Sequence, residues 1–553
     1  MTLKNQAICM IFCGIISSIC PILSDAYFYY KWVAGLCFIW CLIALSNHSI
    51  VLSKQQCALL LLIVLQGLMR SFSVIDPLMH QLHIFALCTG IIFVGWGRQE
   101  GIRNQIADLL PMLLKLGSFL LILFTYLGSD SLAKSNLVGP YGNSELMVPF
   151  FGMATLYFAA SKSKWTILPL LGLLMCQSKL SLGCVAFMIC HHFLQHKSLK
   201  IKLWFWSSGI LGLTLMPFVM SFHTLVGRVF LWLCTVFFGD SSSAIFLGLG
   251  WWEIEHSLLN AFERFSQYSY YDWFKGNPAM VKHLHNEYLN LFLEMGLTSI
   301  MALWLCWSTL KTVASASIPP KYQYPLRYML LFALFSLPFR SMANYVVFLT
   351  LIALVPLEES QASYTFKKSM SQWVALGMSI LIAWSSLPRL QSSYYTQKAM
   401  HLYAQDERVS TLEMLEIAES SDPFDLETQR FLIQFHDNSG NTYVAIQKAE
   451  NYLLKSQHID IAKIMMHNLI QIGRYEDAIF WAQRMHNIFP HHITPLFLWG
   501  QALYLNEQYL ESRDIFEQAL LKKSTSDKGR FEQAQIEYLY LPKIQDILSQ
   551  TPD

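Results

Sequence analysis

The chain has 553 residues at 63.6 kDa; 54% are hydrophobic, 14% aromatic and 14% charged, and the mean hydropathy is +0.37. Ordinary soluble chains carry about 25% charge, so a fully soluble protein is excluded, and so is a disordered one, because apolar surface is abundant and charge scarce. The formal net charge of +2 conceals a split: residues 389–553 hold 22 acidic and 15 basic side chains, net −7, which leaves the first 388 residues at +9.

Apolar runs recur from the start of the chain. They cover 7–23, 28–47, 56–69, 82–96, 107–127, 144–160, 165–177, 180–195, 202–220, 287–310, 326–339, 343–356 and 370–387. This predicts an all-α, polytopic membrane protein of about 13 transmembrane helices. Several runs are shorter than the ~20 residues of a full span, so neighbouring helices must shelter them. The first run has no small-residue cleavage site after it and reads as a retained span. The twelve cysteines all precede residue 307 and lie mostly in such runs, as do Cys9, Cys13, Cys37, Cys41 and Cys184. No CxxC pair or zinc spacing occurs, so they read as small core or lipid-facing side chains, and no metal is expected.

Basic residues fall in alternate loops. One side holds Lys4, Lys54, Arg98, Arg103, Lys162, Lys164, Lys197, Lys200 and Lys202, then Lys311, Lys321, Arg327, Lys367 and Lys368. By the positive-inside rule that side is cytoplasmic. Thirteen spans from a cytoplasmic N-terminus then place residues 389–553 outside the cytoplasm. The long loop of about 221–285 and the loop from Gly128 to Asn143 lie on that outer side too. An even number of spans would reverse the tail.

The tail has a period. Tyr475 matches Tyr509, and Ala478 matches Ser512, at one shared spacing. Pro423 precedes Pro490 by close to twice that spacing. With Ala502, Phe516 and Ala519 at packing positions, this resembles the tetratricopeptide repeat, a helix–turn–helix of about 34 residues. Residues 389–553 are therefore expected to form a C-terminal α-helical repeat domain of three or four helix pairs. Such arrays commonly bind protein or peptide; the plainer alternative is a packing domain without a ligand.

Ionisable residues near spans are expensive and mark function by default. The expected topology gathers Asn143, Glu145, Lys179, Arg228, His283, His285, Asn286, Glu287 and Arg340 near one face. That clustering points to one site there. A transporter should instead show charges at mid-membrane and internal symmetry; neither is evident. A bare membrane anchor for the tail would leave thirteen spans and the His285 segment unexplained.

Three segments in order have a family likeness: Gly227-Arg228-Val229-Phe230-Leu231-Trp232, then Gly248-Leu249-Gly250-Trp251, then HLHNEYLNLFLEMGL from His283 to Leu297. Together they resemble the bacterial O-antigen ligase superfamily, which includes O-antigen ligases, O-antigen polymerases and protein O-oligosaccharyltransferases. The likeness rests on GR-x-x-x-W, a Gly-rich turn, and H-N-x-x-L followed by E-x-G, here His285, Asn286, Leu289, Glu294 and Gly296. Weaker likenesses lie in GPYGNSELMVPF at 139–150, in QSKLSLG at 177–183, where Lys179 replaces the usual Arg, and in FSLPF at 335–339.

The resemblance implies a metal-independent, inverting, GT-C-like glycosyltransferase in the bacterial inner membrane, with a periplasmic site and no cofactor. The donor would be a glycan on undecaprenyl diphosphate and the acceptor a hydroxyl. Histidine near pKa ~6.5 suits a general base, and His285 is the candidate. A guanidinium suits the departing diphosphate, and Arg228 is the candidate. Lys179, Arg264 and Arg340 would add positive charge, and Asn143, Tyr141 and Asn286 would hold sugar or phosphate. Each has a plainer reading. His285 is also an interfacial histidine, Asn286 a helix N-cap, and Arg228, Lys179 and Arg340 snorkelling anchors. Glu294 and Gly296 read better as packing residues. The motifs do not choose the acceptor. A repeat domain of this size favours Ser or Thr of exported proteins over a sugar hydroxyl of lipopolysaccharide or another surface polysaccharide.

Overall fold

A computed structural model describes residues 28–46, 48–70, 76–127, 147–176, 178–194, 287–296, 318–333, 341–355, 363–456, 458–489 and 492–521, with positions 198, 299, 300 and 339. The described residues are overwhelmingly helical and fall into two compact units that divide at Leu387 and Pro388.

In the first unit the described helices are α1 (Phe28–Leu45), α2 (Lys54–Arg70), α3 (Pro77–Gly97), α4 (Glu100–Leu127), α5 (Val148–Ala160), α6 (Ile167–Met175) and α7 (Lys179–Leu194). They continue with α8 (Glu287–Met295), α9 (Pro320–Ala333), α10 (Met342–Ala353) and the start of α11 (Lys368–Ala404). Apolar side chains cannot satisfy backbone polar groups, so an apolar run closes its own hydrogen bonds as helix. Among the described residues, three helices are long and apolar enough to cross a membrane: Pro77–Gly97, Glu100–Leu123 and Lys368–Ala404. Their starts and stops have local causes. Asp76 caps α3 by accepting from the Met79 N–H at 3.0 Å, with Pro77 as the first helical residue. Pro320 opens α9, so that helix covers 320–333 and takes in Lys321 and Arg327, which the sequence reading left at a loop and span edge.

Helices α1 and α3 run parallel. Trp40 Nε1 donates to Thr89 Oγ1 at 2.8 Å, and Trp96 Nε1 donates to Ser46 Oγ at 2.8 Å. Helix α2 packs antiparallel against α3; near its end the Gly67 carbonyl accepts from His80 Nε2 at 3.1 Å. Each tryptophan thus buries a large ring while its N–H finds a partner. A two-stranded antiparallel sheet ties this layer to the start of α11. Strand β1 (Val51–Ser53) pairs with β2 (Ser363–Thr365) in the register Val51↔Thr365, Leu52↔Tyr364 and Ser53↔Ser363. The Phe366 N–H donates to the Ile50 carbonyl at 2.9 Å, and the Ile50 N–H to Ser371 Oγ at 3.1 Å.

A second layer packs α5 against α9, α7 and α6, around Phe150, Phe151, Phe158, Tyr324, Tyr328 and Phe332. Close approach depends on Gly152: a Cβ there would lie 2.2 Å from the Tyr328 ring. Without apolar driving force between helices in lipid, small residues that allow such contact carry the packing.

Among its described residues the second unit has the end of α11 from Pro388 and seven further helices: α12 (Arg408–Ser421), α13 (Leu426–Asn438), α14 (Thr442–Lys455), α15 (Ile459–Gln471), α16 (Tyr475–Ile488), α17 (Thr494–Leu505) and α18 (Tyr509–Leu521). One backbone device recurs. Asp406, Gly440, Gly473 and Glu507 all have positive φ, between 61° and 77°. The residue after each donates to the carbonyl five positions back: Glu407 to Leu402, Asn441 to His436, Arg474 to Leu469 and Gln508 to Leu503, at 2.9–3.1 Å. That is the helix stop built on a left-handed residue. Five positions beyond each sit Thr411, Ala445, Ala478 and Ser512, all buried and all small enough for helices to close on them.

A partly buried polar cluster joins α12, α13 and α14. Glu419 accepts from Lys448 Nζ at 2.8 and 2.9 Å and from Gln429 Nε2 at 3.0 Å. Burial alone pushes the Glu419 carboxyl up, but these hydrogen bonds and the Lys448 charge hold it below its ordinary value. Burial pushes the His436 imidazole down, Lys448 adds to this, and Glu419 and Glu416 oppose it. Both shifts mean that the folded state binds fewer protons than the unfolded chain, so stability falls as pH falls. The His436 contribution is complete above about pH 6.5 and is lost below it; the Glu419 contribution is lost only under more acid conditions, as pH falls through its lowered folded value. Hydrogen exchange in the intact chain should show α13–α14 amides opening several-fold more readily at pH 5.5 than at 7.5. His436→Gln should remove most of that dependence, and an unchanged profile would disprove the linkage.

Candidate functional site

Of the residues singled out from the sequence, His285, Asn286, Arg228, Arg264, Asn143, Tyr141 and Arg340 lie outside the described residues, as do the 221–285 loop and Gln177. Lys179 opens α7, with Ser178 before it accepting from the Ser181 N–H at 3.4 Å. What the structure defines is therefore the frame on which two of the motifs sit: the first turn of α7, and α8, whose first residue follows Asn286 directly.

Both frame elements bond to one turn of α9. On α7, the Ser181 hydroxyl shares a short hydrogen bond with the Tyr328 hydroxyl, and both side chains are fully buried. On α8, the Tyr288 hydroxyl donates to the Leu330 carbonyl at 3.0 Å. Tyr328 and Leu330 are two positions apart, about 3 Å along the helix axis. Ser181 is two positions after Lys179, and Tyr288 is two positions after Asn286. The first turns of two helices, which carry the positive ends of their dipoles, are thus brought to one level of the unit.

The other end of α8 is equally determined. Gly296 takes φ 60°, which glycine adopts without penalty. Its N–H closes on Phe292 at 2.7 Å, and its carbonyl accepts from the Ser299 hydroxyl at 2.6 Å. Glu294 is buried, and its backbone carbonyl accepts from Gln66 Nε2 on α2 at 3.3 Å. The E-x-G segment thus terminates α8 and docks it on α2. Just after Arg340, α10 opens with the buried polar residues Ser341 and Asn344.

Sequence reasoning did not single out Tyr328, Ser181, Tyr288 or Gln66. Gln66 carried a usable mark, an amide inside an apolar run. The two tyrosines carried none, since a buried Tyr hydroxyl reveals its partner only in three dimensions.

The first unit also has a small apolar recess, about 60 Å³, lined by Phe38, Phe93, Trp96, Ile106, Leu110 and Val346, among others. Its lining bears no charge and only Gln105 and Thr350 as polar side chains. It suits hydrocarbon and not a diphosphate, and none of the candidate residues lines it. No cluster of His, Cys, Asp and Glu able to hold a metal occurs among the described residues.

No protein-family model matches the chain, and no curated protein matches it.

Proposed function

We propose that the protein is a multi-pass glycosyltransferase of the bacterial inner membrane, similar to the O-antigen ligase superfamily. In this reading about thirteen spans place its site on the periplasmic face. It moves a glycan from undecaprenyl diphosphate to a hydroxyl, that of Ser or Thr on exported proteins. Residues 389–553 form a periplasmic tetratricopeptide-like domain that meets the acceptor protein.

The observation that carries this reading is the ordered set of motifs, from Gly227-Arg228 through Gly248-Leu249-Gly250 to His285-Asn286 and Glu294-x-Gly296. The convergence of the first turns of α7 and α8 on Tyr328 and Leu330 supports it, because it gives the Lys179 and Asn286 segments a common support. The alternating topology has support as well. Strands β1 and β2 pair two loops assigned to the cytoplasmic side, α1 and α3 run parallel, and α2, which connects them in the chain, runs antiparallel to α3.

The chemistry follows from residue types. The acceptor hydroxyl loses its proton to His285 as it attacks the anomeric carbon. The glycosyl–oxygen bond to the diphosphate breaks, and the charge left on the lipid diphosphate is met by Arg228, with Lys179, Arg264 and Arg340 adding to the field. Asn143, Tyr141 and Asn286 orient sugar or phosphate. No metal is used.

His285→Ala should lower transfer by about 10²–10⁴-fold, the usual worth of a general base, at matched protein levels. The readout is glycan on gels before and after proteinase digestion. Loss of protease-sensitive bands with lipopolysaccharide intact supports protein glycosylation. Loss of the polysaccharide ladder alone would move the acceptor to a sugar hydroxyl. No change for either His285→Ala or Arg228→Ala would refute the enzyme and return the transporter and scaffold readings.

A further inference from the structure

The second unit exposes large apolar side chains in register. Counted from the left-handed residues 406, 440 and 507, the third position on is Val409, Tyr443 and Leu510, exposed by 86%, 75% and 65%. In α16 that position is Glu476, and one turn further along the same face stands Phe480, exposed by 58%. In each helix the exposed apolar position lies two places from the buried Thr411, Ala445, Ala478 or Ser512. Two places are about 200° around a helix of 3.6 residues per turn, so the exposed side chains face away from the packed side. Helices α12, α14, α16 and α18 thus each present one large apolar group on an equivalent outward face. Leu454 and Leu521, three turns beyond Tyr443 and Leu510, extend the same faces and are exposed too.

The charges on these faces are mainly acidic, although Arg484, one turn beyond Phe480, also lies among them and sits over the Trp481 ring. Glu413 and Glu416 follow Val409, Glu476 precedes Phe480, and Asp514 follows Leu510, all exposed. The nearby cations Lys448 and Arg513 are engaged with Glu419 and Glu517. Scattered single apolar residues on a surface need no explanation, but an aligned row does.

We infer that this row is a docking surface for a basic polypeptide segment with large apolar side chains. Apolar anchors would fill the spaces between successive helices, and Lys or Arg between them would meet the carboxylates. The charge argues against an anionic lipid surface as occupant. The inference rests on reading the tail as a polypeptide-binding unit, but not on glycan transfer in the first unit.

The test uses the full chain in phosphatidylcholine nanodiscs. The probes are a labelled peptide of some twenty residues built from Lys, Leu and Ser, and its twin with Glu for every Lys. Fluorescence anisotropy should show the Lys peptide binding at least tenfold more tightly than the Glu peptide, with affinity falling as salt rises. Tyr443→Ser with Leu510→Ser should raise Kd about tenfold, as loss of two central anchors does. Glu413→Lys with Asp514→Lys should raise it similarly at low salt and flatten the salt dependence. Leu505→Ser, on a helix outside the row, should leave it unchanged. All these sites are exposed, and unchanged thermal melting would confirm that the variants fold. Equal binding of the two peptides, or row variants that bind as wild type does, would overturn the inference. So would binding of neither peptide; if transfer to protein persisted in that case, the transferase reading would stand without this surface. Concentration-dependent dimers that vanish in Tyr443→Ser/Leu510→Ser would assign the row to a second copy and also overturn it.

Discussion

Arg389→Met is expected to lower the stability of the C-terminal unit by about 3–5 kcal/mol, the cost of removing one partner from a buried ion pair. Arg389 is 8% exposed and Asp422 1% exposed, and the guanidinium Nε donates directly to the carboxylate. Asp422 also accepts from the Phe424 N–H at 3.0 Å, which keeps the carboxyl group in position when the arginine is gone. The pair continues into a ladder. Ser392 Oγ donates to Asp425 Oδ2 at 3.1 Å, Thr428 Oγ1 donates to the same oxygen at 3.1 Å, and the Thr396 hydroxyl bonds to Thr428 Oγ1 at 2.6 Å. This buried polar seam holds the second half of α11 to the start of α13. An uncompensated carboxylate within it should open the seam as a whole, since linked buried bonds fail together. Pulse proteolysis of the intact chain would report the loss. In a double-mutant cycle, Asp422→Asn should recover a large part of it, because it removes the stranded charge. A cost below about 1 kcal/mol, the surface ion-pair range, would show that the pair is solvated.

Gly152→Ala is the second large effect. A single methyl must displace the Tyr328 ring, which is fully buried, stacked on Phe332 at 5.7 Å and bonded to Ser181. Overpacking of this kind costs about 1–3 kcal/mol, and the ring has no open side to move into. The displacement also breaks the bond that fixes the first turn of α7. If Lys179 serves the transfer proposed above, activity should fall by more than thermal stability alone accounts for. Tyr328→Phe is the control: it removes the hydroxyl but keeps the ring, so it should lower activity with a smaller loss of stability. Wild-type melting and activity in Gly152→Ala would mean that α5 and α9 do not approach this closely.

How much of this was legible in the sequence differs by level. Apolar runs such as 28–47 and 82–96 coincide with α1 and α3, because a run that cannot hydrogen-bond outward has few choices but helix. Edges were less readable. Asp76 and Pro77 begin α3 more than a turn before the apolar run does, and Pro320 begins α9 well ahead of its run. Tyr475 and Tyr509, one period apart, each open a helix. The matching stops at Asp406 and Glu507 were hidden, since only Gly440 and Gly473 carry the residue type that announces a left-handed turn. Long-range polar pairing was not legible at all. Nothing local joins Arg389 to Asp422 or Ser181 to Tyr328. For the candidate site, the sequence supplied the motifs, and the structure supplies the supports of Lys179 and of the helix after Asn286.

The pairing of Val51–Ser53 with Ser363–Thr365 has a consequence in time. Nearly all of the apolar unit lies between the two strands in the chain. At synthesis rates of about 5–20 residues per second, the first strand waits roughly 15–60 seconds for its partner to emerge. Until then the backbone edge of β1 is open, and the α1–α3 layer lacks the contacts that Ser371, Ala375 and Ile382 bring to it. The first helices to be made are thus among the last to be finished, and their assembly depends on whatever keeps that edge covered in the interval.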